Sequence, residues 1–332
     1  MQSSAAPQRT DDLSAEQMNE PLVSVIIPTY NRSQLVIRAI RNALDQTYKN
    51  TEIVIVDDGS TDDTQHALRS FGDRIRVIRQ ANRGPSSARN RGLEIAQGEI
   101  IAFQDSDDLW MATKLERQVS LLERAGPSVP CCICNAEMHF AERSPTTSFK
   151  LAAIESKLEE GIWVNVAEVL ATTFILFNQC AAIRRDALAR VGGFDESLTL
   201  MEDYDYALRL ALDGGSWIFT SEPLVVWRQG SPESLFEKAR AEELRMRECV
   251  VRCLEVFDRK VHATDRFLNL RRLSQFELQR RRRDLAIARL EKSSAVGARS
   301  RSWALKTIER YRRALRRKLG YAPAMSVIPL NT

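Results

Sequence analysis

The chain has 332 residues, of which 44% are hydrophobic and 28% are charged, a composition typical of a globular protein with one α/β domain and an appendage. No apolar run reaches the roughly 18 residues that a membrane-spanning helix needs. The polar N-terminus also lacks the apolar core of a secretory signal, so we expect a cytoplasmic protein. Residues 1–20 carry almost no large apolar side chains and are predicted to be disordered.

The small net charge of +4 conceals a strong segregation of charge along the chain. Residues 236–332 contain 25 Lys and Arg against 11 Asp and Glu, whereas residues 1–235 contain 23 against 33. An acidic first part followed by a basic second part indicates two regions with different partners.

Short β-branched runs alternate with amphipathic stretches from residue 21 onward. The first strands are predicted at 23–27, 52–56, 74–78 and 99–103, and the first helices at 34–44, 61–70, 85–96 and 113–125. Further strands are predicted at 131–135, 174–183, 217–220 and 224–227, with a helix at 204–212. Apolar strands that alternate with helices are typical of a mostly parallel sheet covered by helices.

The basic part of the chain is predicted to form helices at 235–260, 266–291 and 302–319. The last of these has an apolar stripe nearly opposite a basic one, which is the pattern of a helix lying on an anionic membrane surface. Packing of the apolar stripe on the same chain or on a second subunit explains the pattern equally well. Nucleic acid is not an expected partner, because no recognition module surrounds Arg280–Arg283.

Cysteine spacing raises the question of a zinc site. Cys131 and Cys134 have C-x-x-C spacing, but no second cysteine pair or histidine cluster completes a four-ligand site. Reduced thiols buried as small hydrophobic side chains are the better interpretation.

Three polar clusters each follow directly on a predicted strand, at 28–31, 57–62 and 105–108. In an open α/β sheet the loops at the carboxyl ends of the strands meet at one edge, where ligands bind. The cluster at 57–62 is also explained as an ordinary turn and helix cap. The acids at 105, 107 and 108 would repel each other without a cation or hydrogen-bond donors, and hard oxygen ligands suit Mg²⁺ or Mn²⁺.

A basic segment, Asn82 to Asn90, precedes and opens the third predicted helix, where free N–H groups favour anions. A loop with a solvated helix face explains this segment about as well. The glycine patterns of dinucleotide-binding proteins and of P-loop proteins are absent, so those two classes lack their main support.

Six segments together carry a resemblance to a known family. In chain order they are VSVIIPTYNR, IVIVDDGSTDDT, NRGPSSARNRGL, GEIIAFQDSDDLWMATKLERQ, VGGFDESL and MEDYDYALRLA. Their order and spacing resemble the inverting family 2 glycosyltransferases of GT-A fold from bacterial polysaccharide synthesis, over residues 23–228. The resemblance implies a GT-A-like domain at 21–235 and a basic helical region at 236–332. It also implies sugar transfer from a nucleotide-diphosphate donor, UDP-linked, to a glycan or lipid-linked glycan at the inner membrane face.

The resemblance further implies roles for individual residues. Donor binding would involve Pro28, Thr29, Tyr30, Asn31, Asp57, Asp58, Arg89, Asn90, Asp105 and Ser106, with Tyr30 and Asp58 at the base and Arg89 and Asn90 at the ribose and diphosphate. The DxD-type motif would hold Mn²⁺ or Mg²⁺ through Asp107, with Asp105. The acceptor side would be formed by Gly192, Gly193, Phe194 and Glu202, and Asp203 would be the general base.

On its own, the pair Glu202-Asp203 would be an acidic first helical turn. The chain departs from the family after Arg228, where many members carry a histidine and this sequence has Gln229. Two alternatives stay open: a polyprenyl-phosphate glycosyltransferase, and a catalytically silent partner protein that binds a nucleotide sugar. The presence of both Asp107 and Asp203 argues against the silent partner.

Overall fold

The computed structural model describes residues 20–140, 144–228, 242–263, 268–292 and 324–330. The first half of the domain alternates strands and helices. Its elements are β1 (Val23–Thr29), α1 (Ser33–Leu44), β2 (Thr51–Asp57), α2 (Thr64–Arg69), β3 (Arg76–Arg79), α3 (Pro85–Ile95) and β4 (Ile100–Phe103). These elements confirm the strand–helix alternation predicted for residues 21–103.

The second half of the domain is more irregular. Its elements are β5 (Leu109–Trp110), α4 (Lys114–Ala125), β6 (Cys131–His139), β7 (Thr146–Thr147), α5 (Ser148–Leu151), β8 (Glu160–Trp163), α6 (Val166–Thr172), β9 (Ala181–Arg184), α7 (Arg185–Val191), α8 (Glu202–Gly214) and β10 (Trp217–Arg228). Two long helices and a short strand follow: α9 (Glu243–His262), α10 (Leu268–Lys292) and β11 (Val327–Ile328).

All strands join one sheet in the order β11-β8-β10-β6-β9-β4-β1-β2-β3, with β5 beside β10 and β7 beside β6. The strands β3, β2, β1 and β4 are parallel, and β9 runs antiparallel between β4 and β6. Because β1 lies between β2 and β4 and is covered on both faces, its residues from Val23 to Ile27 are all buried. The sheet confirms the predicted α/β class.

Close packing of α3 on β1 fixes the helix that carries Arg89. A Cβ added at Gly92 would collide with Cγ2 of Ile26, so glycine permits the short distance between this helix and the sheet. The loop before α3 therefore ends at the same edge of the sheet as the loops that follow β1, β2 and β4.

Two predicted strands differ from the structure. Residues 174–180 are not a strand: α6 ends at Thr172, and the polar residues Asn178 and Gln179 turn toward a cavity before β9 begins at Ala181. The two strands predicted at 217–220 and 224–227 are one strand, β10. Its pairing with β6 is irregular around Pro223, which has no N–H to donate.

The basic C-terminal region is attached to the domain rather than separate from it. The hairpin of α9 and α10 packs against α8 and α6, and β11 adds to the edge strand β8. None of the helices in the described ranges is both long and apolar enough to cross a bilayer. Residues 1–19 of the segment 1–20 that is predicted to be disordered, and the whole amphipathic helix predicted at 302–319, lie outside the described residues.

The cysteines behave as apolar core residues. Cys131, Cys132 and Cys134 on β6 are free and fully buried, and so is Cys180 beside them. Burial raises the pKa of Cys131 and of Cys132 well above the ordinary value, so both are protonated thiols.

Candidate active site

A cavity of about 1150 Å³ opens where the parallel strands end. One wall is built from the loops that follow β1, β2, β3 and β4, as the sequence predicted. The other wall comes from residues 173–179, from the start of α8, and from side chains of α9 and α10. The predicted residues that line it are Pro28, Thr29, Tyr30, Asn31, Asp58, Arg89, Asp105, Ser106, Asp107, Glu202 and Asp203.

The loops after β1 and β2 form one unit through Asn31. Its backbone adopts a left-handed conformation with φ of 50°, which asparagine tolerates better than most residues. Its side-chain oxygen accepts hydrogen bonds from the backbone N–H groups of Thr61 at 2.7 Å and Asp62 at 3.4 Å, and its own N–H donates to Ser60 Oγ at 2.9 Å. Tyr30, next to this link, is 43% exposed at the cavity and offers its ring to a flat ligand.

Asp58 is the buried carboxylate of this wall. It accepts hydrogen bonds from Gln80 Nε2 at 2.8 Å and from the backbone N–H groups of Arg83 at 3.0 Å and Gly84 at 2.8 Å. A carboxylate has about four acceptor positions, so one stays available to a ligand. Asp57 does not line the cavity; it accepts from Ser60 N at 2.9 Å and pairs with Arg79 at 3.6 Å, a supporting position.

Arg89 connects the two walls of the cavity. It is 3% exposed, and its two terminal nitrogens donate to Asp105 Oδ1 at 2.8 Å and Glu202 Oε1 at 2.9 Å. Burial opposes the charge of this guanidinium, but the two carboxylates outweigh burial and raise the pKa of Arg89. Asp105 also accepts a hydrogen bond from Gln179. The guanidinium therefore fixes Asp105 and Glu202 in place.

The loop after β4 concentrates negative charge. Arg32 donates to Ser106 Oγ at 3.2 Å and pairs with Asp107 Oδ2 at 3.1 Å. Burial raises the pKa of Asp107, Arg32 lowers it, and Asp105 raises it again. Burial and the carboxylates of Asp107 and Asp105 also hold the pKa of Asp108 well above its usual range. An added cation would relieve this repulsion.

Asp203 lies on the opposite wall, in the first turn of α8. Burial raises the pKa of this half-buried carboxyl to about 7, and the carboxylate of Glu202 adds to the shift, while Arg89 opposes it. Its carboxylate accepts a hydrogen bond from the N–H of Tyr204 at 2.8 Å. Met201, just before the helix, has a φ of 64°. This left-handed backbone conformation is unusual for a residue other than glycine, and such strained residues cluster at functional sites.

Four predicted residues lie behind the wall rather than on it, as far as the structure describes the cavity: Asn90, predicted at the donor, and Gly192, Gly193 and Phe194, predicted to form the acceptor side. The side-chain amide of Asn90 accepts from Phe194 N at 2.7 Å and donates to Phe194 O at 3.0 Å. A Cβ at Gly193 would lie 2.5 Å from Asn90 Oδ1, so this contact requires glycine. Phe194 packs its ring under the Arg89 guanidinium, 5.4 Å away, and thereby supports it.

Several lining residues escaped the sequence analysis. Arg32 lay inside a quoted motif but received no role, and Asn178 and Gln179 were assigned to a strand. The oxygen atoms Asn178 Oδ1 and Gln179 Oε1 are buried without a hydrogen-bond partner among the described residues. Met246 and Val250 from α9 and Arg281 from α10 also line the cavity, and helical periodicity alone carries no signal for their placement.

Comparisons with known proteins identify the family of the chain. A family model described as Glycosyl transferase family 2 matches residues 24–192. An uncharacterized glycosyltransferase of Rickettsia typhi is 33% identical over 186 residues, which is 56% of this chain and 57% of that protein. The Escherichia coli enzyme WfgD, named UDP-Glc:alpha-D-GlcNAc-diphosphoundecaprenol beta-1,3-glucosyltransferase, is 42% identical over 107 residues, or 32% of this chain and 42% of that one. The matches thus span about half the length of these curated relatives.

Among solved structures, the chain is similar to the mannosyltransferase PcManGT from Pyrobaculum calidifontis in complex with GDP-Man and Mn²⁺. The TM-score is 0.56 at 24% identity, over 92% of this chain and 82% of that one. At this identity the likeness shows the fold, and it confirms the predicted GT-A-like architecture followed by helices.

Proposed function

Because the chain belongs to glycosyl transferase family 2, we propose that it transfers a sugar from a nucleotide-diphosphate donor to an acceptor hydroxyl, with inversion at the anomeric carbon. One observation carries the proposal. A carboxyl group whose pKa is raised to about 7, that of Asp203, faces the same cavity as the carboxylate loop of Asp105 and Asp107. A proton acceptor and a carboxylate loop that can hold a cation for the donor phosphates are two parts that this reaction needs.

The donor would occupy the wall built from the parallel strands. Tyr30 is exposed enough to stack on a base, and Asp58 has an acceptor position left for a base N–H. The diphosphate would then point toward the loop 105–108. A UDP-linked donor is supported by the name of the WfgD relative, which acts on UDP-Glc.

The residues present fit a divalent cation of the Mg²⁺ or Mn²⁺ type. Among the described residues no group of three or more His, Cys, Asp or Glu side chains could hold a metal by itself. These ions bind one or two carboxylates and complete their shell with water and substrate phosphates, which suits an open pair such as Asp107 and Asp105. When bound there, the ion would neutralise charge on the leaving nucleoside diphosphate.

Asp203 would take the proton of the attacking acceptor hydroxyl. As its carboxylate accepts that proton, the acceptor oxygen forms a bond to the anomeric carbon, and the bond from that carbon to the donor phosphate oxygen breaks. A pKa near 7 suits this task, because the group is then substantially ionised at neutral pH and still basic. Arg89 donates a hydrogen bond to Glu202, the residue before Asp203, and so orients the start of α8.

The acceptor would be a glycan or a lipid-linked glycan of cell-surface polysaccharide synthesis, since the WfgD relative is named for a diphosphoundecaprenol-linked acceptor. A polyprenyl-phosphate acceptor fits less well, because a phosphate is already ionised at neutral pH and needs no general base. A catalytically silent binding protein does not need a carboxyl group, such as that of Asp203, whose pKa is raised to about 7. The peripheral membrane position and the self-association predicted for the basic C-terminal region stay proposals.

The test is transfer itself. The purified full chain is incubated with Mn²⁺, radiolabelled UDP-sugars and a GlcNAc-diphosphate-lipid acceptor, and both released UDP and glycosylated product are measured. We expect product with the β configuration from one UDP-sugar, together with slow donor hydrolysis when acceptor is absent. Donor binding without hydrolysis or transfer for any nucleotide sugar would support the silent binding protein instead.

A further inference from the structure

The C-terminal helical hairpin forms part of the cavity, and the inference below rests on the proposed function. Met246 and Val250 of α9 line the cavity with Phe174 and Leu200 of the main domain. Phe174 packs its ring 6.0 Å from that of Tyr204, the residue after Asp203, and α9 packs against α8, which carries Asp203. If Asp203 takes the proton of the acceptor, the hairpin borders the acceptor rather than the donor.

The hairpin also contributes three charged side chains to the lining, those of Arg247, Arg281 and Asp284. The Nε atom of Arg281, on α10, is buried without a hydrogen-bond partner among the described residues. Within the same ranges the guanidinium of Arg281 makes no ion pair. The nearby acids Glu277 and Asp284 pair with the neighbouring Arg280, at 2.6 Å and 3.8 Å.

The environment of Arg281 is unfavourable to its charge. Burial lowers the pKa of this guanidinium and the charge of Arg280 lowers it further, against weaker opposite contributions from Tyr204, Glu277 and Asp284. A partly buried cation that lacks its hydrogen bonds costs free energy, and a bound anion would recover it. The planar guanidinium is suited to phosphate, which it can bind through two parallel N–H groups.

The position of Arg281 places such an anion on the acceptor. Arg281 lines the cavity together with Phe174, whose ring packs 6.0 Å from that of Tyr204, the residue that follows Asp203. The donor diphosphate, in contrast, is expected at the loop 105–108 on the other wall. A phosphate at Arg281 therefore belongs to a molecule whose hydroxyl reaches Asp203.

We propose that Arg281 binds a phosphate group of the acceptor, attached close to the sugar that receives the new linkage. The acceptor is then a sugar phosphate or sugar diphosphate ester, with the lipid leaving along the apolar side chains of Phe174, Leu200, Met246 and Val250. A neutral glycan would leave Arg281 without a partner.

The experiment compares two acceptors that differ only in the phosphate: GlcNAc-diphosphate-alkyl and GlcNAc-alkyl with the same alkyl chain. In Arg281→Gln we expect the KM for the diphosphate acceptor to rise roughly 10- to 100-fold, the effect of losing charge-assisted hydrogen bonds. The KM for the neutral acceptor and the Kd for the UDP-sugar should stay within about twofold of wild type. Arg281→Lys should restore part of the affinity for the diphosphate acceptor, because the charge is retained without the fork geometry.

The matched control is Arg282→Gln. This adjacent residue is exposed, pairs with Glu255 at 2.7 Å on the outside of the hairpin, and should leave both acceptors unaffected. Equal loss for both acceptors in Arg281→Gln, or the same loss in the control, would contradict the proposal. A weakened UDP-sugar Kd would assign Arg281 to the donor instead.

Binding of each acceptor is also measured without turnover, by calorimetry on the full chain. A wild type that binds the diphosphate acceptor but transfers nothing contradicts the proposed function. The affinities of wild type and Arg281→Gln for the two acceptors still decide the inference in that case.

Discussion

The two walls of the cavity each carry a carboxylate, but the two carboxylates accept different numbers of hydrogen bonds. On the donor wall, Asp58 accepts three hydrogen bonds from Gln80, Arg83 and Gly84. On the opposite wall, the carboxylate of Asp203 accepts, within the described part of the chain, a single hydrogen bond from its neighbour Tyr204. Burial raises the pKa of Asp203 to about 7, whereas Asp58 is surrounded by donors.

The different hydrogen bonding of Asp58 and Asp203 suggests different roles, one in positioning loops and the other in proton transfer. A buried carboxylate that is satisfied by several protein donors holds its loops in one arrangement. A buried carboxylate with few donors is poised to accept one at neutral pH. We therefore expect substitutions on the wall that carries Asp58 to weaken donor binding, and substitutions at Asp203 to slow the reaction.

The largest effect should come from removing the divalent cation. Asp105, Asp107 and Asp108 follow β4 on one short loop, and Asp105 and Asp107 line the cavity, an arrangement of oxygen ligands that suits a divalent cation. We expect EDTA to abolish turnover and Mn²⁺ or Mg²⁺ to restore it. Asp107→Ala should lose both donor affinity and rate, measured by calorimetry and by release of UDP.

The control for the metal prediction is Asp186→Ala, which removes an exposed carboxylate that pairs with Arg190 far from the loop. This variant should respond to EDTA and to added metal as the wild type does. Full turnover in EDTA would overturn the assignment of Asp107 and Asp105 as a metal site.

The next largest effect is expected for Asp203→Asn, which keeps the shape of the side chain but removes its basicity. Loss of a general base costs about 10²–10⁴ in rate. Because Asp203 lies on the wall opposite the donor, the Kd for the UDP-sugar should be unchanged while kcat falls. Asp58→Asn should do the reverse, weakening donor binding more than kcat, since it disturbs the loop at 83–84.

Turnover of Asp203→Asn within about threefold of wild type would mean that another group takes the proton. Loss of donor binding in this variant would move Asp203 to the nucleotide side. Asp213→Asn at the far end of α8, where the native carboxylate pairs with Arg190, is the matched control.

A smaller, graded effect is expected from pH. The base acts in its ionised form, so kcat/KM should rise about tenfold per pH unit below the pKa and level off above it. The pKa of Asp203 is raised to about 7, and the groups that face it are Glu202, Arg89 and Asp105. The rise should therefore level off near neutral pH, and should be absent in Asp203→Asn. A wild-type profile that is flat from pH 5 to about 8 would contradict the assignment.

Much of this arrangement was predictable from the sequence, and the failures have physical causes. The acids and Arg89 follow strands whose ends must meet at one sheet edge, so their convergence could be predicted. Asn90 was expected beside Arg89 at the ligand, but it is not among the residues that line the cavity, because neighbours on a helix point about 100° apart. The lining role of Arg281 could not be predicted, because four consecutive arginines give no sign of which one the packing turns inward.

Asn90→Ala should have the smallest effect on activity. It distinguishes a structural role of Asn90, in supporting Phe194, from the predicted role in binding the donor diphosphate. Its amide bonds both the N–H and the carbonyl of Phe194, and Phe194 lies under the guanidinium of Arg89. Removing the amide leaves two backbone groups without partners, so we expect the free energy of unfolding to fall by roughly 1–3 kcal/mol, measured by urea denaturation. Turnover should fall only a few-fold, because the salt bridges from Arg89 to Asp105 and Glu202 still hold the guanidinium. If Asn90 instead bound the diphosphate, the substitution would leave stability unchanged and weaken the Kd for the UDP-sugar about tenfold or more, the loss expected for a hydrogen bond to a charged group.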